Sequence, residues 1–259
     1  MQDLQMYLKL IIKKIIPAKF YPWIWQIYSS LRSFYYIGDK FTCPICSGHF
    51  RMLLSFGVKK RQNAKCPKCG SLERHRLLWL YLRDRTNFFT DHLKILDIAP
   101  LHYLQEKCKK LENLDYISAD ISSPIAMTKM DITDIHLPDN QFDCIICYHV
   151  LEHINDDKKA MRELFRIIKP GGWAILQVPI DPNLDKTFED ISIIQPDKRE
   201  NIFGQKDHVR VYGRDYKNRL EEAGFVVKID DYVYKLKDSK VREYALIANE
   251  EIYFCSKPK

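Results

Sequence analysis

The stretch that decides the fold is LPDNQFDCIICYHVLEHI (residues 137–154), followed by AMRELFRIIKPGGWAILQVP (residues 160–179). Phe142–Tyr148 is a short apolar run typical of a buried strand, and Asp157–Ile168 has the spacing of an amphipathic helix. The helix is expected to end at the KPGG turn, after which Trp173–Val178 forms another apolar run. A strand, a helix and a strand in this order predict two parallel strands joined by a helical crossover.

The same alternation continues on both sides of this stretch. Upstream, Leu93–Ile98 and Tyr116–Ala119 are short apolar runs that predict two further strands. Downstream, Asp215–Ala223 predicts a helix stopped by a glycine, and Phe225–Ile229 and Glu251–Cys255 predict the last two strands. Alternation of this kind indicates a mostly parallel sheet with helices on both faces.

Three acidic residues fall where predicted strands end. Asp97 closes the first strand, Asp120 closes the second 23 residues later, and Asp131 opens the loop before the next strand. Ligands of open α/β sheets bind at the carboxyl ends of the strands, near the point where the strand order reverses. The spacing from Asp97 to Asp120 suits a carboxylate that accepts hydrogen bonds from ribose hydroxyls.

Residues 93–179 resemble a class I S-adenosylmethionine (SAM)-dependent methyltransferase domain of the methyltransferase-11 type. The matching pieces are ILDIAP, YISAD and the two segments quoted above. The resemblance implies an enzyme with a Rossmann-like seven-stranded α/β sheet, mostly parallel with the last strand antiparallel, that uses SAM. It implies that Asp97 lies near the methionine end of the cofactor, that Asp120 holds the ribose and that Asp131 meets the adenine amino group. The implied cofactor-binding set is Asp97, Ala99, Asp120, Ile121, Asp131, Ile132, Tyr148 and His149.

The turn after the first strand departs from the family pattern. Families of this kind have a glycine-rich turn there, where missing side chains let the backbone approach the cofactor. Here the turn, residues 99–103, reads APLHY and contains no glycine. We therefore keep a non-catalytic cofactor-fold scaffold as an alternative to an enzyme.

Two cysteine pairs predict a zinc ribbon over residues 39–72. Cys43 and Cys46 form one CxxC turn, Cys66 and Cys69 form the other, and 19 residues separate them. Two such turns brought together make the closed tetrahedral site of four thiolates that structural Zn²⁺ requires. No secretory signal is visible, and in a reducing cytoplasm paired cysteines indicate metal more often than a disulfide. A redox-active pair of dithiols is the alternative.

Residues 73–92 are expected to form a linking helix. Ser71 is expected to cap this helix, which runs to about Arg85. Its first turn, residues 73–76 (ERHR), is expected to be exposed, either as a plain polar face or as an anion-binding one.

Residues 1–38 are expected to form amphipathic and aromatic helices, the first with an apolar face from Leu4 to Ile15. They either pack on the rest of the protein or contact a membrane surface, which would place a cytoplasmic protein at the inner face of the membrane. Residues 1–92 carry 16 Lys/Arg against 5 Asp/Glu in a chain of net charge +7. This surplus suits an anionic neighbour such as RNA or a membrane, or a solvated basic face.

Residues 93–259 are assigned to the methyltransferase domain, with an acceptor-site insertion at residues 180–214. Methyl transfer to a hydroxyl needs alignment and a base, and His208 is the first candidate base, with His149 as the second. His208 could instead pin the loop. The candidate acceptor-binding residues in the insertion are Glu189, Asp190, Arg199, Asp207, Arg210 and Tyr212.

The sequence thus predicts methyl transfer to a small-molecule or glycan acceptor, at a hydroxyl group. RNA methylation with the ribbon as RNA-binding element is an alternative that is not favoured, because no aromatic-basic recognition motif stands out.

Overall fold

The computed structural model describes residues 21–57 and 60–259. The chain forms two compact units. The first comprises the residues up to Asp84 together with Val233–Glu250, and the second comprises Arg85–Tyr232 together with Glu251–Lys259. The expected methyltransferase domain of residues 93–259 is therefore not continuous: residues 233–250 return to the first unit, which sequence alternation alone does not reveal.

Helices α1 to α7 span, in chain order, Tyr21–Phe34, Glu73–Arg85, His102–Cys108, Asp157–Ile167, Pro196–Phe203, Tyr216–Glu222 and Asp238–Glu243. Strands β1 to β13 span Ile37–Cys43, Gly48–Phe50, Leu54–Phe56, Arg61–Lys65, Leu93–Ile98, Leu114–Asp120, Thr128–Lys129, Phe142–Tyr148, Ile168–Gln177, Phe188–Glu189, Arg210–Val211, Val226–Asp230 and Ile252–Ser256. Short 3₁₀ helices span Leu151–His153 and Tyr232–Lys235.

One seven-stranded sheet organises the second unit, in the order β12-β13-β9-β8-β5-β6-β7. Strands β5 to β9 run parallel to one another. β13 is antiparallel to both of its neighbours, β9 and β12. The predicted Rossmann-like fold with an antiparallel last strand is confirmed. The strand order reverses at β5, which lies between β6 and β8.

The core of this unit is built by β8 and α4. All four residues of the run Cys144–Cys147 are buried, whichever face they occupy, because helices cover a parallel sheet on both sides. In α4, the buried apolar side chains are Ala160, Met161, Leu164 and Ile167, one stripe along the helix. The helix begins at Asp156, whose side chain accepts a hydrogen bond from the backbone N–H of Lys159 at 2.9 Å.

The KPGG segment does not separate helix from strand as expected. β9 begins at Ile168, directly after α4, and the segment lies inside the strand as an irregularity: Ile168 pairs with Phe142, whereas Trp173 pairs with Cys144. Gly172 permits this path, since a Cβ there would lie 2.8 Å from the carbonyl oxygen of Asp143.

The predicted N-terminal segment is described only in part. α1 falls inside residues 1–38, whereas the first predicted helix, from Leu4 to Ile15, lies outside the described residues. Three apolar side chains of α1, Ile27, Leu31 and Phe34, are exposed. Within the described part of the chain, no helix has the length and apolar character needed to cross a bilayer.

The start of α2 differs from the expectation in two ways. α2 begins at Glu73, and its first turn is largely buried, including Arg76, which has no exposed surface. Ser71 does not cap the helix through its side chain: its Oγ atom lies 3.3 Å from Cys43 Sγ and 3.2 Å from Cys69 Sγ. The expected exposed face is thus an interior contact.

Arg76 ties three segments of the first unit together. Its guanidinium donates to the carbonyl oxygens of Tyr244 and Ala245, both at 2.7 Å, and to those of Ala64 and Ser71, both at 3.0 Å. A buried cation is tolerated when its donors are all used. These bonds hold the returning segment of residues 233–250 against α2 and β4.

We expect Arg76→Leu to destabilise the first unit by about 3 kcal/mol or more, because several buried carbonyls lose their donor at once. Hydrogen exchange of the α2 amides measures this loss within that unit. Arg83→Leu is the matched control: Arg83 is on the same helix but half-exposed and paired with Asp84, so it should change stability by less than about 1 kcal/mol. Equal effects of the two substitutions would contradict the assignment.

Candidate active site and cysteine cluster

The carboxyl ends of β5 and β8 form the candidate active site. Ile98 of β5 pairs with Cys147 of β8, so these neighbouring strands end side by side. The chain then turns sharply at Ala99 and at His149, whose φ angles are +53° and +59°. Their backbone N–H groups donate to the carbonyls of the adjacent strands, at 2.8 Å in both cases. This edge is the switch point at which open α/β sheets bind ligands.

The turn at Ala99 has a left-handed backbone conformation although it contains no glycine. A φ of +53° is the conformation that glycine adopts most readily, and here an alanine adopts it at a cost of about 1–2 kcal/mol. The turn therefore retains a glycine-like backbone course without a glycine. The absence of glycine from this turn therefore no longer supports the alternative of a non-catalytic scaffold.

Asp97 is a buried carboxyl group at this edge. It is 8% exposed, and the hydroxyl of Tyr116 on β6 donates to its Oδ2 at 2.5 Å. Burial raises the pKa of Asp97 to about 7, although the hydrogen bond from Tyr116 opposes the rise. A cation placed beside this group would favour its ionised form.

Asp120 ends β6, as predicted, and its side chain shapes the loop that follows. Its Oδ1 accepts from the backbone N–H groups of Ser122 at 2.7 Å and Ser123 at 2.6 Å. Both bonds are on Oδ1, and no described residue donates to Oδ2. The next residue, Ile121, is 56% exposed, so an apolar side chain and a carboxylate oxygen lie together at the strand end.

Asp131 and Ile132 have different environments. Asp131 is exposed, and its Oδ1 accepts from the backbone N–H and the hydroxyl of Thr133, both at 2.8 Å. The hydrogen bond from the Thr133 backbone lowers the pKa of Asp131. Ile132 is 4% exposed within the apolar core. Its side chain cannot line a cofactor pocket, so only its backbone remains available for the predicted role.

Both predicted bases converge on one glutamate. His149 Nδ1 lies 3.2 Å from Glu152 Oε1. His208 reaches the same place from the insertion and is among three residues, with Glu152 and His153, whose ligand atoms lie within 4.8 Å of one another. The rings of His153 and His208 meet edge to face, 4.8 Å apart. The sequence analysis missed Glu152 and His153, although the spacing HVLEH (residues 149–153) was available as a signal.

The Nδ1 atom of His208 lies 3.1 Å from the carbonyl oxygen of Phe203. A carbonyl oxygen only accepts, so Nδ1 carries the proton and Nε2 carries the lone pair. Burial lowers the pKa of His208, because the charged imidazolium form is poorly solvated there. The loop-pinning role and a chemical role are therefore compatible in this residue.

Two predicted acceptor-binding residues, Tyr212 and Arg210, are buried, and a third, Glu189, is exposed but pairs with buried arginines. Tyr212 has no exposed surface, and its hydroxyl donates to Asp157 Oδ2 at 2.6 Å. Arg210 is 3% exposed and forms ion pairs with Glu189 at 2.9 Å and with Asp157 at 3.6 Å. Arg219 pairs with the same two carboxylates, at 2.6 and 3.5 Å. Arg210 and Tyr212 thus use their polar groups within this network, and Glu189 is held by both arginines.

The remaining acceptor candidates lie near the surface. Asp190 accepts hydrogen bonds from Ser192 within its own turn. Arg199 donates to the carbonyl oxygen of Ile193 at 2.8 Å. Asp207 is exposed and meets His153 Nδ1 through both its carboxylate and its carbonyl oxygen, each at 3.3 Å.

The four cysteines of the two CxxC turns converge in the first unit. Cys43 Sγ lies 3.7 Å from Cys69 Sγ, and Cys46 Sγ lies 3.7 Å from Cys66 Sγ. A tetrahedral site with Zn–S bonds of about 2.3 Å has sulfur–sulfur edges of about 3.8 Å. The donor set and its spacing thus fit a tetrahedral metal ion. Ser47 and Gly70, which follow the two turns, have φ angles of +53° and +82°.

Comparison with known proteins agrees with the fold. Residues 91–176 match the family model described as a methyltransferase domain. The chain is 32% identical over 105 residues to the ubiquinone/menaquinone biosynthesis C-methyltransferase UbiE of Vibrio cholerae, covering 36% of this chain and 40% of that protein. It is 33% identical over 149 residues to the protein of the same name from Pasteurella multocida, covering 51% of each.

A solved SAM-dependent methyltransferase from Archaeoglobus fulgidus is 17% identical, covers 70% of this chain and 93% of that chain, and has a TM-score of 0.46. This chain spans about half, or less, of the curated relatives it matches. The sheet order is that of the Rossmann-like class, and residues 91–176, which lie in the second unit, match a methyltransferase domain. The matched residues run from β5 to β9 and include every acidic strand end described above.

We expect Ala99→Gly to raise the stability of the second unit by about 0.5–1 kcal/mol. Glycine removes the strain of the left-handed conformation, but the greater conformational entropy of glycine in the unfolded chain offsets part of this stabilisation. Chemical denaturation of the two proteins measures the difference. Ala223→Gly is the control: Ala223 has a φ of −79°, so glycine there should destabilise. Destabilisation at residue 99 would show that the turn is not strained.

We expect Asp97→Asn to stabilise the protein at alkaline pH. The folded-state pKa of about 7 lies above the usual value of about 3.9, so the stabilising contribution of the neutral carboxyl is complete below about pH 4 and is lost as the pH rises through 7. The variant should gain up to about 4 kcal/mol at pH 8 and little at pH 4.

Denaturation midpoints measured from pH 4 to 8 test this. Asp115→Asn, at an exposed position on β6, is the control and should show no such pH-dependent difference. A constant difference between Asp97→Asn and the wild type across the range would contradict the assignment.

Proposed function

We propose that the protein transfers a methyl group from SAM to a hydroxyl group of a small-molecule acceptor. The observation that carries the proposal is the convergence of Asp97, Asp120 and His149 at the carboxyl ends of adjacent parallel strands, within a segment that matches a methyltransferase domain. When bound, SAM supplies an electrophilic methyl group, and its sulfur keeps the electron pair of the bond that breaks.

The residues at the strand ends fit this cofactor. The free Oδ2 of Asp120 suits the ribose hydroxyls, and the exposed side chain of Ile121 offers an apolar surface for a planar base. Asp97 places a buried carboxyl group where a cationic methionine end would favour its ionised form. Asp131, on the same edge and already oriented by Thr133, is assigned to the adenine amino group.

We assign to His149 the role of the base that removes the hydroxyl proton of the acceptor. Glu152 Oε1 orients its Nδ1 atom, an arrangement that keeps a histidine in one tautomer and strengthens it as a base. His149 directly follows the end of β8, where the methyl donor is assigned, whereas His208 comes from the insertion. His149 is therefore the better placed of the two candidates to meet an acceptor.

The insertion supports an acceptor that is partly apolar. Its charged groups at Glu189 and Arg210 are engaged with one another, which removes the reason to prefer a glycan. Its exposed side chains include Phe188, Ile191, Ile194 and Ile202. The relatives named above are C-methyltransferases by name, and the choice of oxygen over carbon here rests on the histidine next to the strand end.

The proposal includes a structural Zn²⁺ held by Cys43, Cys46, Cys66 and Cys69. The 3.7 Å sulfur separations support it, and so does Arg76, whose buried positive charge acts on three of these cysteines and offsets a four-thiolate centre. Contacts of residues 1–38 with a membrane, and of the basic residues with RNA, stay predictions from charge and apolar pattern.

We expect calorimetry to detect SAM binding and Asp120→Asn to weaken it about 10- to 100-fold, because the amide nitrogen cannot accept the ribose hydrogen bond. The side-chain oxygen of asparagine can still accept the hydrogen bonds from the backbone N–H groups of Ser122 and Ser123 that shape the loop. Asp134→Asn, an exposed position in the neighbouring loop, is the control and should bind as the wild type does. A wild-type protein that shows no affinity at millimolar SAM would end the proposal.

Transfer itself is tested with SAM that carries an isotopically labelled methyl group and a small-metabolite extract, followed by mass spectrometry of the labelled product. His149→Gln should bind SAM normally and lower the transfer rate about 100-fold or more. A product labelled on carbon would reject the hydroxyl assignment while leaving SAM binding intact.

A further inference from the structure

Glu152, His153 and His208 form a compact group of potential metal ligands, of which the proposed methyl transfer uses only Glu152, through its Oε1 atom. Their ligand atoms lie within 4.8 Å of one another. Glu152 is 2% exposed and His208 is 6% exposed. Two buried atoms of this group, Glu152 Oε2 and His208 Nε2, have no hydrogen-bond partner among the described residues. An unsatisfied buried polar atom costs about 1–3 kcal/mol, so an occupant is expected.

The outer atoms of the three side chains are held by other groups. His208 Nδ1 donates to the carbonyl oxygen of Phe203 at 3.1 Å, and His153 Nδ1 faces the carbonyl and carboxylate oxygens of Asp207 at 3.3 Å. Both Nδ1 atoms must therefore carry protons, which leaves a lone pair on each Nε2. His149 occupies Glu152 Oε1 at 3.2 Å. Metal-ligating histidines are typically oriented in this way by carbonyl or carboxylate acceptors.

The group offers three electron pairs to a single occupant, of which those on Glu152 Oε2 and His208 Nε2 are buried and unsatisfied. Two imidazole lone pairs and a carboxylate oxygen are all hydrogen-bond acceptors in these tautomers. A water molecule has two hydrogens and can satisfy only two of them. A cation can accept all three.

We propose that Glu152, His153 and His208, brought together at the end of β8, bind a divalent first-row transition metal ion of the Zn²⁺ type. Two imidazole nitrogens and one carboxylate oxygen suit this class of ion, whereas Mg²⁺ and Ca²⁺ prefer oxygen ligands alone. Three protein ligands leave at least one coordination position open, as in catalytic rather than structural zinc sites. The site is chemically different from the four-cysteine cluster.

The position of this metal site near the end of β8 suggests that the ion acts on the methyl acceptor. His153 closes the 3₁₀ helix that follows β8, and His149 links Glu152 to the strand end where the methyl donor is assigned. An ion there would bind an oxygen of the acceptor and make its hydroxyl more acidic. This use rests on the proposed methyl transfer; binding of the metal does not.

The test uses the full-length protein loaded with one equivalent of Zn²⁺ and then titrated with Zn²⁺ by calorimetry, without SAM or acceptor. We expect a second equivalent to bind to the wild type. His208→Ala and Glu152→Gln should each weaken only this second equivalent, by about 100-fold or more. His136→Ala, which removes an exposed histidine paired with Asp134, is the matched control and should leave both equivalents unchanged.

His153→Gln is the variant of choice if His208→Ala does not fold, since the His153 side chain is 32% exposed. Co²⁺ identifies the ligands: the first equivalent should give the intense absorption of thiolate coordination, and the second only weak bands of nitrogen and oxygen ligands. A wild type that binds one equivalent only, or ligand variants that bind the second equivalent like the wild type, would overturn the proposal. Calorimetry with SAM on the same samples separates this outcome from failure of the methyltransferase assignment.

Discussion

The parallel pairing of β5 with β8 is the constraint on which the candidate active site depends. The register that joins Ile98 to Cys147 ends the two strands together. Left-handed residues at Ala99 and His149 then turn the chain back at the same edge. Because β6 lies on one side and β9 on the other, Asp97, Asp120 and His149 come at the same edge of the sheet. A shift of one residue in this register would move Asp97 to the opposite face of the sheet.

The ion pairs of the insertion are linked to the segment that follows β8 at this edge of the sheet. Arg210 donates to the carbonyl oxygens of Leu151, Ile154 and Asn155, so it satisfies the end of the 3₁₀ helix that carries Glu152 and His153. The backbone N–H of Val209 donates to the carbonyl oxygen of Glu152. Residues expected to contact the acceptor thus fix the backbone from which the proposed base partner and metal ligands project.

In the first unit, the guanidinium of Arg76 holds backbone segments together in a similar way. Arg76 joins β4, the start of α2 and the returning segment, and its charge acts on three of the four cysteines. This buried cation adds to the apolar contacts of the unit, whose buried side chains include Phe41, Leu77 and Leu80.

Sequence alone determined the approximate positions of β5, β6, β8, β9 and α4, the acidic strand ends and the two CxxC turns, since periodicity and spacing are local properties of the chain. The left-handed turn at Ala99, the burial of Arg76 and Tyr212, and the meeting of His149 and His208 at Glu152 were decided only by the tertiary structure. Each depends on atoms far apart in sequence: 56 residues separate Glu152 from His208. Whether a polar side chain faces a ligand or satisfies a buried partner follows from which segments pack together, and no local pattern encodes that.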